Sequence, residues 1–113
     1  MIDGHKLIQS TLSTILPSQY ELFLGPDITL PCISYNEQNN YTIIDSDDTG
    51  FSYLDYHIKV FARTVEDMQY YSNLVDLKLK EIGGKRLSSQ EVVIEGHLEK
   101  WMVYRFIGKE YYR

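Results

Sequence analysis

The sequence predicts an α+β domain, a single antiparallel or mixed β-sheet with two helices packed on one face, and three observations carry that prediction. Two segments repeat apolar residues at helical spacing, one segment alternates for about twelve residues with the period of a strand, and short turns join most of the remaining apolar runs. Strands joined by short turns favour antiparallel pairing, and helices gathered on one face of such a sheet make a two-layer core. With 113 residues the chain has the size of one domain, read as 1–113.

The first element runs from Asp3 to Leu16, where Leu7, Ile8, Thr11, Leu12, Ile15 and Leu16 fall on one helical face. Asp3 is placed to cap its start and Pro17 to close it. From Pro17 to Pro31 three prolines and Gly25 punctuate the chain, which reads as an ordered connection holding one short strand. Cys32-Ile33-Ser34-Tyr35 and Tyr41-Thr42-Ile43-Ile44 then read as a hairpin turning at Glu37-Gln38-Asn39-Asn40.

Asp45-Ser46-Asp47-Asp48-Thr49-Gly50 is an acidic turn. After it Ser52, Leu54, Tyr56, Ile58, Val60 and Ala62 alternate with Tyr53, Asp55, His57, Lys59, Phe61 and Arg63, a long strand with its even-numbered face inward. Thr64-Val65-Glu66-Asp67 supplies a capping hydroxyl with a carboxylate three residues on. The helix that follows places Met68, Tyr71, Val75, Leu79 and Ile82 in steps of three and four and stops at Gly83-Gly84. Strands near Ser88 to Glu95 and Leu98 to Tyr111 close the chain as a hairpin around Gly96-His97.

Strand parity has a functional consequence. Met102, Tyr104 and Phe106 face the helices, whereas Trp101, Val103 and Ile107 lie on the other side, joined there by Tyr53 and Phe61. An apolar patch on a second sheet face is too large to leave wet on a monomer, which points to self-association. Ten tyrosines, beside four phenylalanines and one tryptophan, suit both strands and interfaces. The expected oligomer interface is therefore Tyr53, Phe61, Trp101, Val103 and Ile107.

Charge and motifs narrow the function classes. A net charge of −5 gives no electrostatic reason to bind nucleic acid or an anionic membrane. The longest apolar runs fall far short of the ~20 residues that span a bilayer, and the first residues read as no secretory leader, so synthesis in a cytoplasm is expected. Cys32 is the lone cysteine, which excludes an internal disulfide or a cysteine-rich zinc site; it reads as a buried strand residue.

Asp45, Asp47 and Gly50 match three positions of a calcium loop, but Thr49 and Tyr56 stand where further ligands belong and a strand follows instead of a helix, so no metal is expected. His5, His57 and His97 form no ligand pattern, and no nucleophile elbow or phosphate loop occurs, so no catalytic residue and no cofactor are assigned. Lys78, Lys80, Lys85 and Arg86 read as cations at the negative end of the second helix. A metal-dependent nuclease using Asp45, Asp47, Asp55 and Lys59 is the alternative from another class, and a plain cytoplasmic interaction domain a third.

The layout resembles a known family. An N-terminal helix broken by an early proline, the strand Pro31-Cys32-Ile33-Ser34-Tyr35, the phrase Tyr56-His57-Ile58-Lys59-Val60-Phe61-Ala62-Arg63-Thr64, a helix of the Asp67 to Ile82 type and a hairpin ending in Tyr104-Arg105-Phe106 resemble the tail-completion, or tail-terminator, proteins of long-tailed phages and prophages. The resemblance implies a non-enzymatic virion protein of the tail neck, made in the host cytoplasm. Its copies would form a ring, hexameric in the family, that caps the head-proximal end of the tail tube. The implied partners are other copies of itself, the tail tube protein and the head-tail connector protein, with DNA passing through without specific binding and with no membrane contact. Head-closure and head-tail joining proteins of the same neck are the nearest alternative. In a ring of this kind Asp45, Asp47 and Asp48 would line the lumen, where negative groups repel passing phosphates.

Overall fold

The computed structural model describes residues 4–21, 29–44 and 50–109. The element order is α1 (Gly4–Leu12), β1 (Ser18–Tyr20), β2 (Cys32–Ile44), β3 (Gly50–Ala62), α2 (Val65–Glu81), β4 (Gly84–Ile94) and β5 (His97–Lys109). The five strands form one sheet in the order β1-β2-β3-β5-β4, mixed because β1 runs parallel to β2 while every other pair is antiparallel. This is the α+β class expected from the sequence, with the sheet in its mixed form.

The core lies between the sheet and the helices. Ile33 and Tyr35 of β2, Leu54, Tyr56, Ile58 and Val60 of β3, and Met102 and Tyr104 of β5 meet Ile8 and Leu12 of α1 and Val75 and Leu79 of α2. The even-numbered residues of β3 face inward because a strand turns successive side chains to opposite faces. Burying a side chain of the Leu, Ile or Met class contributes about 1.5–3 kcal/mol, which is why this face dictates the register. The Tyr35 hydroxyl donates to Gln9, and Gln9 Nε2 donates to the Ser18 carbonyl at 3.2 Å, so one side chain of α1 ties β1 to β2.

Each helix ends for a local reason. In α2 the Asp67 amide donates to the Thr64 hydroxyl at 3.1 Å, and Glu66 and Asp67 in the first turn and Lys78 and Lys80 in the last complement the helix dipole. Gly83 carries φ of +97° just past the helix end, a conformation glycine adopts without strain. The first helix is shorter than the sequence suggests: it closes at Leu12, and the Thr14 hydroxyl bonds the Thr11 carbonyl at 2.7 Å in a turn. Hydroxyls that satisfy the backbone locally weaken the case for another helical turn. The proposed cap, Asp3, lies outside the described residues.

One element differs in kind. Cys32–Tyr35 and Tyr41–Ile44 are not two arms of a hairpin; they belong to a single thirteen-residue strand, β2, whose partner is β3. The expected turn is instead a bulge between Glu37 and Asn39. The polar run there holds no glycine for the left-handed positions that tight hairpin loops favour, and one extra residue is absorbed by a bulge with little loss of pairing. The β4–β5 hairpin does form, turning at Glu95-Gly96, with Gly96 at φ of +94°.

Strand and helix lengths are mismatched. Thirteen strand residues reach about 43 Å and seventeen helical residues about 25 Å, so β2, β3 and β5 run past the end of α2, and the molecule measures 52 Å along its long axis.

Candidate functional site

The face of the sheet opposite the helices is where the sequence placed an interface, and pairing register sets its rows. On β3 and β5, Tyr53 faces Ile107, Asp55 faces Arg105, His57 faces Val103, Lys59 faces Trp101 and Phe61 faces Glu99. The five residues expected to form an interface thus share one face, arranged in two adjacent columns, because all five have odd numbers on strands that pair without a bulge between them.

Their surroundings are more polar than an apolar patch. Asp55, 2% exposed, accepts two hydrogen bonds from Arg105, Nε to Oδ1 at 2.8 Å and Nη2 to Oδ2 at 2.9 Å. This is a bidentate pair, the stronger geometry for a guanidinium and a carboxylate. The Arg105 guanidinium also lies 5.0 Å from the centre of the Tyr53 ring. Two rows down, the Lys59 ammonium stands 4.7 Å from the centre of the Trp101 ring, and His57 meets the same ring edge-on at 5.6 Å. Burial, and then the Lys59 charge, hold the His57 imidazole below its ordinary pKa.

Glu99 is the second buried carboxylate, 6% exposed. It accepts from the Trp101 indole N–H at 2.6 Å, and its other oxygen lies 2.6 Å from His97 Nε2. The His97 ring in turn packs against Phe61 with ring centres 6.0 Å apart. Phe61 is only 4% exposed, so it offers almost no surface and supports the face from within; Ile107, 53% exposed, is the most open of the five. Tyr53, Trp101 and Val103 are half-buried.

The structure therefore adds Asp55, Arg105, Glu99 and His97 to the face. The signal for them was present, since all four share the odd parity of Trp101, but which carboxylate meets which cation depends on register, and register is a long-range property.

Other sequence candidates are placed as follows. Asp45, Asp47 and Asp48 lie outside the described residues, as does the side chain of His5. Asp55 and Lys59, half of the imagined nuclease site, are committed to Arg105 and Trp101, and among the described residues no group of three or more His, Cys, Asp or Glu is placed to hold a metal ion. Within the basic cluster Lys78 pairs with Glu81 at 3.9 Å, while two members meet Asp76, with Lys80 2.7 Å and Arg86 3.7 Å from its carboxylate, and the Tyr104 hydroxyl donates to it at 2.7 Å. Those contacts staple α2 to the sheet. Burial alone would raise the Asp76 carboxyl, but hydrogen bonds from Lys80 and Tyr104 and the Arg86 charge outweigh it and hold the group below its ordinary value. Cys32 is buried and its thiol is pushed up by that burial, which keeps it inert. No helix among the described residues is long and apolar enough to cross a membrane.

Compared with known protein families and with curated proteins, the chain matches no family model and no curated sequence. The functional reading therefore rests on the residues themselves and on the second face of the sheet.

Proposed function

We propose that this chain is a structural subunit of a phage or prophage tail neck, a tail terminator that self-associates into a ring, caps the head-proximal end of the tail tube and meets the head-tail connector. The reading is non-enzymatic. One observation supports it above the others: both buried carboxylates of the second face, Asp55 and Glu99, have their hydrogen-bond partners within the chain. A face whose charges are already paired can be covered by another protein surface without stranding a buried ion, the main cost of burying charge. Its half-buried aromatics, Tyr53 and Trp101, are of the types enriched at interface centres, and Val103 and the exposed Ile107 extend the apolar surface beside them.

The resemblance of the element order to that of tail-completion proteins supports the neck over a generic interaction domain. A head-closure role in the same neck is the nearest alternative, and binding to purified tail tubes rather than to connector-bearing heads distinguishes the two.

The test is the solution mass of the purified chain from micromolar to near-millimolar concentration, with electron microscopy of any large species and of the chain added to tail tubes. Rings, alone or seated on tube ends, are the expected result. A monomer that binds neither tubes nor connectors overturns the reading, and magnesium- or manganese-dependent DNA cleavage would replace it with the nuclease.

A further inference from the structure

We infer that neighbouring copies join edge to edge, β4 of one copy adding antiparallel to the distal half of β2 in the next, so that the sheets run on from copy to copy. The inference rests on the self-association proposed above and names the surface that achieves it.

The sheet has two edges of unequal finish. On one side β4 is eleven residues long with no strand beyond it among the described residues, and Leu87, Val93 and Ile94 are exposed along it, Val93 at 81%. On the other side β1 pairs only with Ile33–Tyr35, and at the corner the Glu37 amide donates to the Tyr20 hydroxyl at 3.3 Å. Past that corner, among the described residues, no strand lies beside β2 from Asn39 to Ile44. An edge strand presents a row of backbone donors and acceptors that templates another strand, and long edges in natural proteins are normally shortened, bulged or covered.

The two edges are complementary in direction. β4 is antiparallel to β5, β5 to β3 and β3 to β2, so β4 runs opposite to β2. A second copy in the same orientation, helices on the same side, therefore brings its β4 beside β2 as an antiparallel neighbour. A contact between two different patches repeats from copy to copy and closes into a ring when the rotation allows, unlike a two-fold contact, which stops at a dimer.

Length and facing set the register. Between the Tyr20 corner and the end of β2, Asn39 to Ile44 face Val92 back to Arg86, with the β4 bulge at Leu87 passed over. Every pair then shares a face, Thr42 with Ser89 on the helix side and Tyr41 with Gln90 on the other, as antiparallel neighbours must.

This register predicts a closed form. Within one chain Asn39 is level with Lys85, through Asp55 and Arg105, whereas in the joint it faces Val92 seven residues on, one of them the bulge. Each copy is thus displaced by six strand steps, about 20 Å along the strands for about 19 Å across the four strand spacings from β2 to the β2 of the next copy. That tilts the strands by about 45°, at the upper end of the roughly 35–45° range of closed barrels.

The experiment is a cysteine crosslink in the full chain. Mild oxidation of the double variant Ser89→Cys with Thr42→Cys, and separately of Gln90→Cys with Tyr41→Cys to cover both the close and the wide pair positions of the ladder, is followed on non-reducing gels beside light scattering. A ladder of covalent oligomers from either double variant, absent from each single variant, is expected. Dimers from Ser89→Cys alone overturn the inference in favour of β4 pairing with itself. Oligomers by light scattering with no crosslink overturn the edge joint but leave self-association standing; a chain that stays monomeric and uncrosslinked both in solution and with tail tubes added sinks both. Circular dichroism matching the parent shows that the variants fold.

Discussion

Asp55 and Arg105 face each other across β3 and β5, fifty residues apart in sequence, in a two-bond pair whose carboxylate is 2% exposed on the sheet face opposite α1 and α2. Truncating Arg105 takes the guanidinium away from the buried Asp55 carboxylate, a loss of about 3–5 kcal/mol. Arg105→Ala is expected to lower the urea midpoint severely. Arg105→Met combined with Asp55→Leu is expected to recover much of the loss, because an apolar pair of similar volume strands no charge. Equal destabilisation in the single and double variants would show that packing against Tyr53, and not the ion pair, sets the cost.

The His57 imidazole is held below its ordinary pKa by burial and by Lys59. An unfolded chain then binds a proton near pH 6.5 that the folded chain resists, so unfolding is favoured as pH falls through that region. The contribution is present above the unfolded value and is lost below it. His57→Gln is expected to flatten the stability profile between about pH 7 and pH 5 relative to the parent, read as urea midpoints at fixed ionic strength. The Trp101 ring touching His57 gives a second readout, since its fluorescence should change with the imidazole's protonation in the parent and lose that step in the variant.

What was legible in the sequence follows from the range of each interaction. The Leu54 to Ala62 alternation, the Thr64 cap and the Gly83 stop are local, each fixed by residues within a turn or a strand, and the structure shows all three. The Glu37–Asn40 stretch is local too, yet it has the composition of a turn and forms a bulge, because whether polar residues bulge or reverse is decided by the partner strand, and β3 offers thirteen residues to pair with. On the second face, parity alone grouped Tyr53, Phe61, Trp101, Val103 and Ile107. The Asp55–Arg105 and Glu99–Trp101 contacts were invisible for want of register, and so Phe61 looked open when His97 and its neighbours enclose it.

Asp76 is held below its ordinary value by Lys80, Tyr104 and Arg86 against the opposing effect of burial. A carboxyl with a depressed folded value stabilises the fold above its unfolded value, near 3.8, and the contribution disappears as pH falls through the folded value. Tyr104→Phe removes one donor to that carboxylate, a hydrogen bond to a charged group worth about 1.5–3 kcal/mol. At pH 7 the variant should be destabilised by an amount in that range, and below about pH 3 the gap to the parent should narrow, since a protonated Asp76 no longer attracts the hydroxyl as an anion does. A gap that stays constant down to pH 2 would assign the loss to packing of the ring.

Gly84 begins β4 where the chain passes under the end of α2. A Cβ there would sit 2.8 Å from the Leu79 carbonyl oxygen and 2.8 Å from the Phe106 ring. Backbone cannot retreat as a flexible side chain can, so Gly84→Ala should cost about 1–3 kcal/mol, the range for overpacking a filled core. Gly83→Ala meets open space but keeps φ of +97°, so its cost comes from backbone strain alone, about 1–2 kcal/mol. Thermal melts of both separate contact from conformation: Phe106→Leu should rescue Gly84→Ala in part, by relieving the ring contact while the Leu79 carbonyl stays, and should leave the cost of Gly83→Ala unchanged.

Trp101 and Ile107 separate assembly from folding. The Trp101 indole donates to Glu99 and carries Lys59 against its ring, so Trp101→Ala removes a partner of a buried carboxylate as well as interface area. It should both weaken association and lower stability by about 3–5 kcal/mol, the range for deleting a large aromatic from packed surroundings. Ile107 is 53% exposed, and a change there touches no buried polar group, so Ile107→Lys should move the monomer's stability by less than about 0.5 kcal/mol. If the second face is covered on assembly, Ile107→Lys still buries an unpaired ammonium, and occupancy of tail-tube ends or the mass of the self-associated species should fall at least tenfold in concentration dependence, about 1.4 kcal/mol or more. An Ile107→Lys protein that assembles like the parent would place the contact surface elsewhere than on this face.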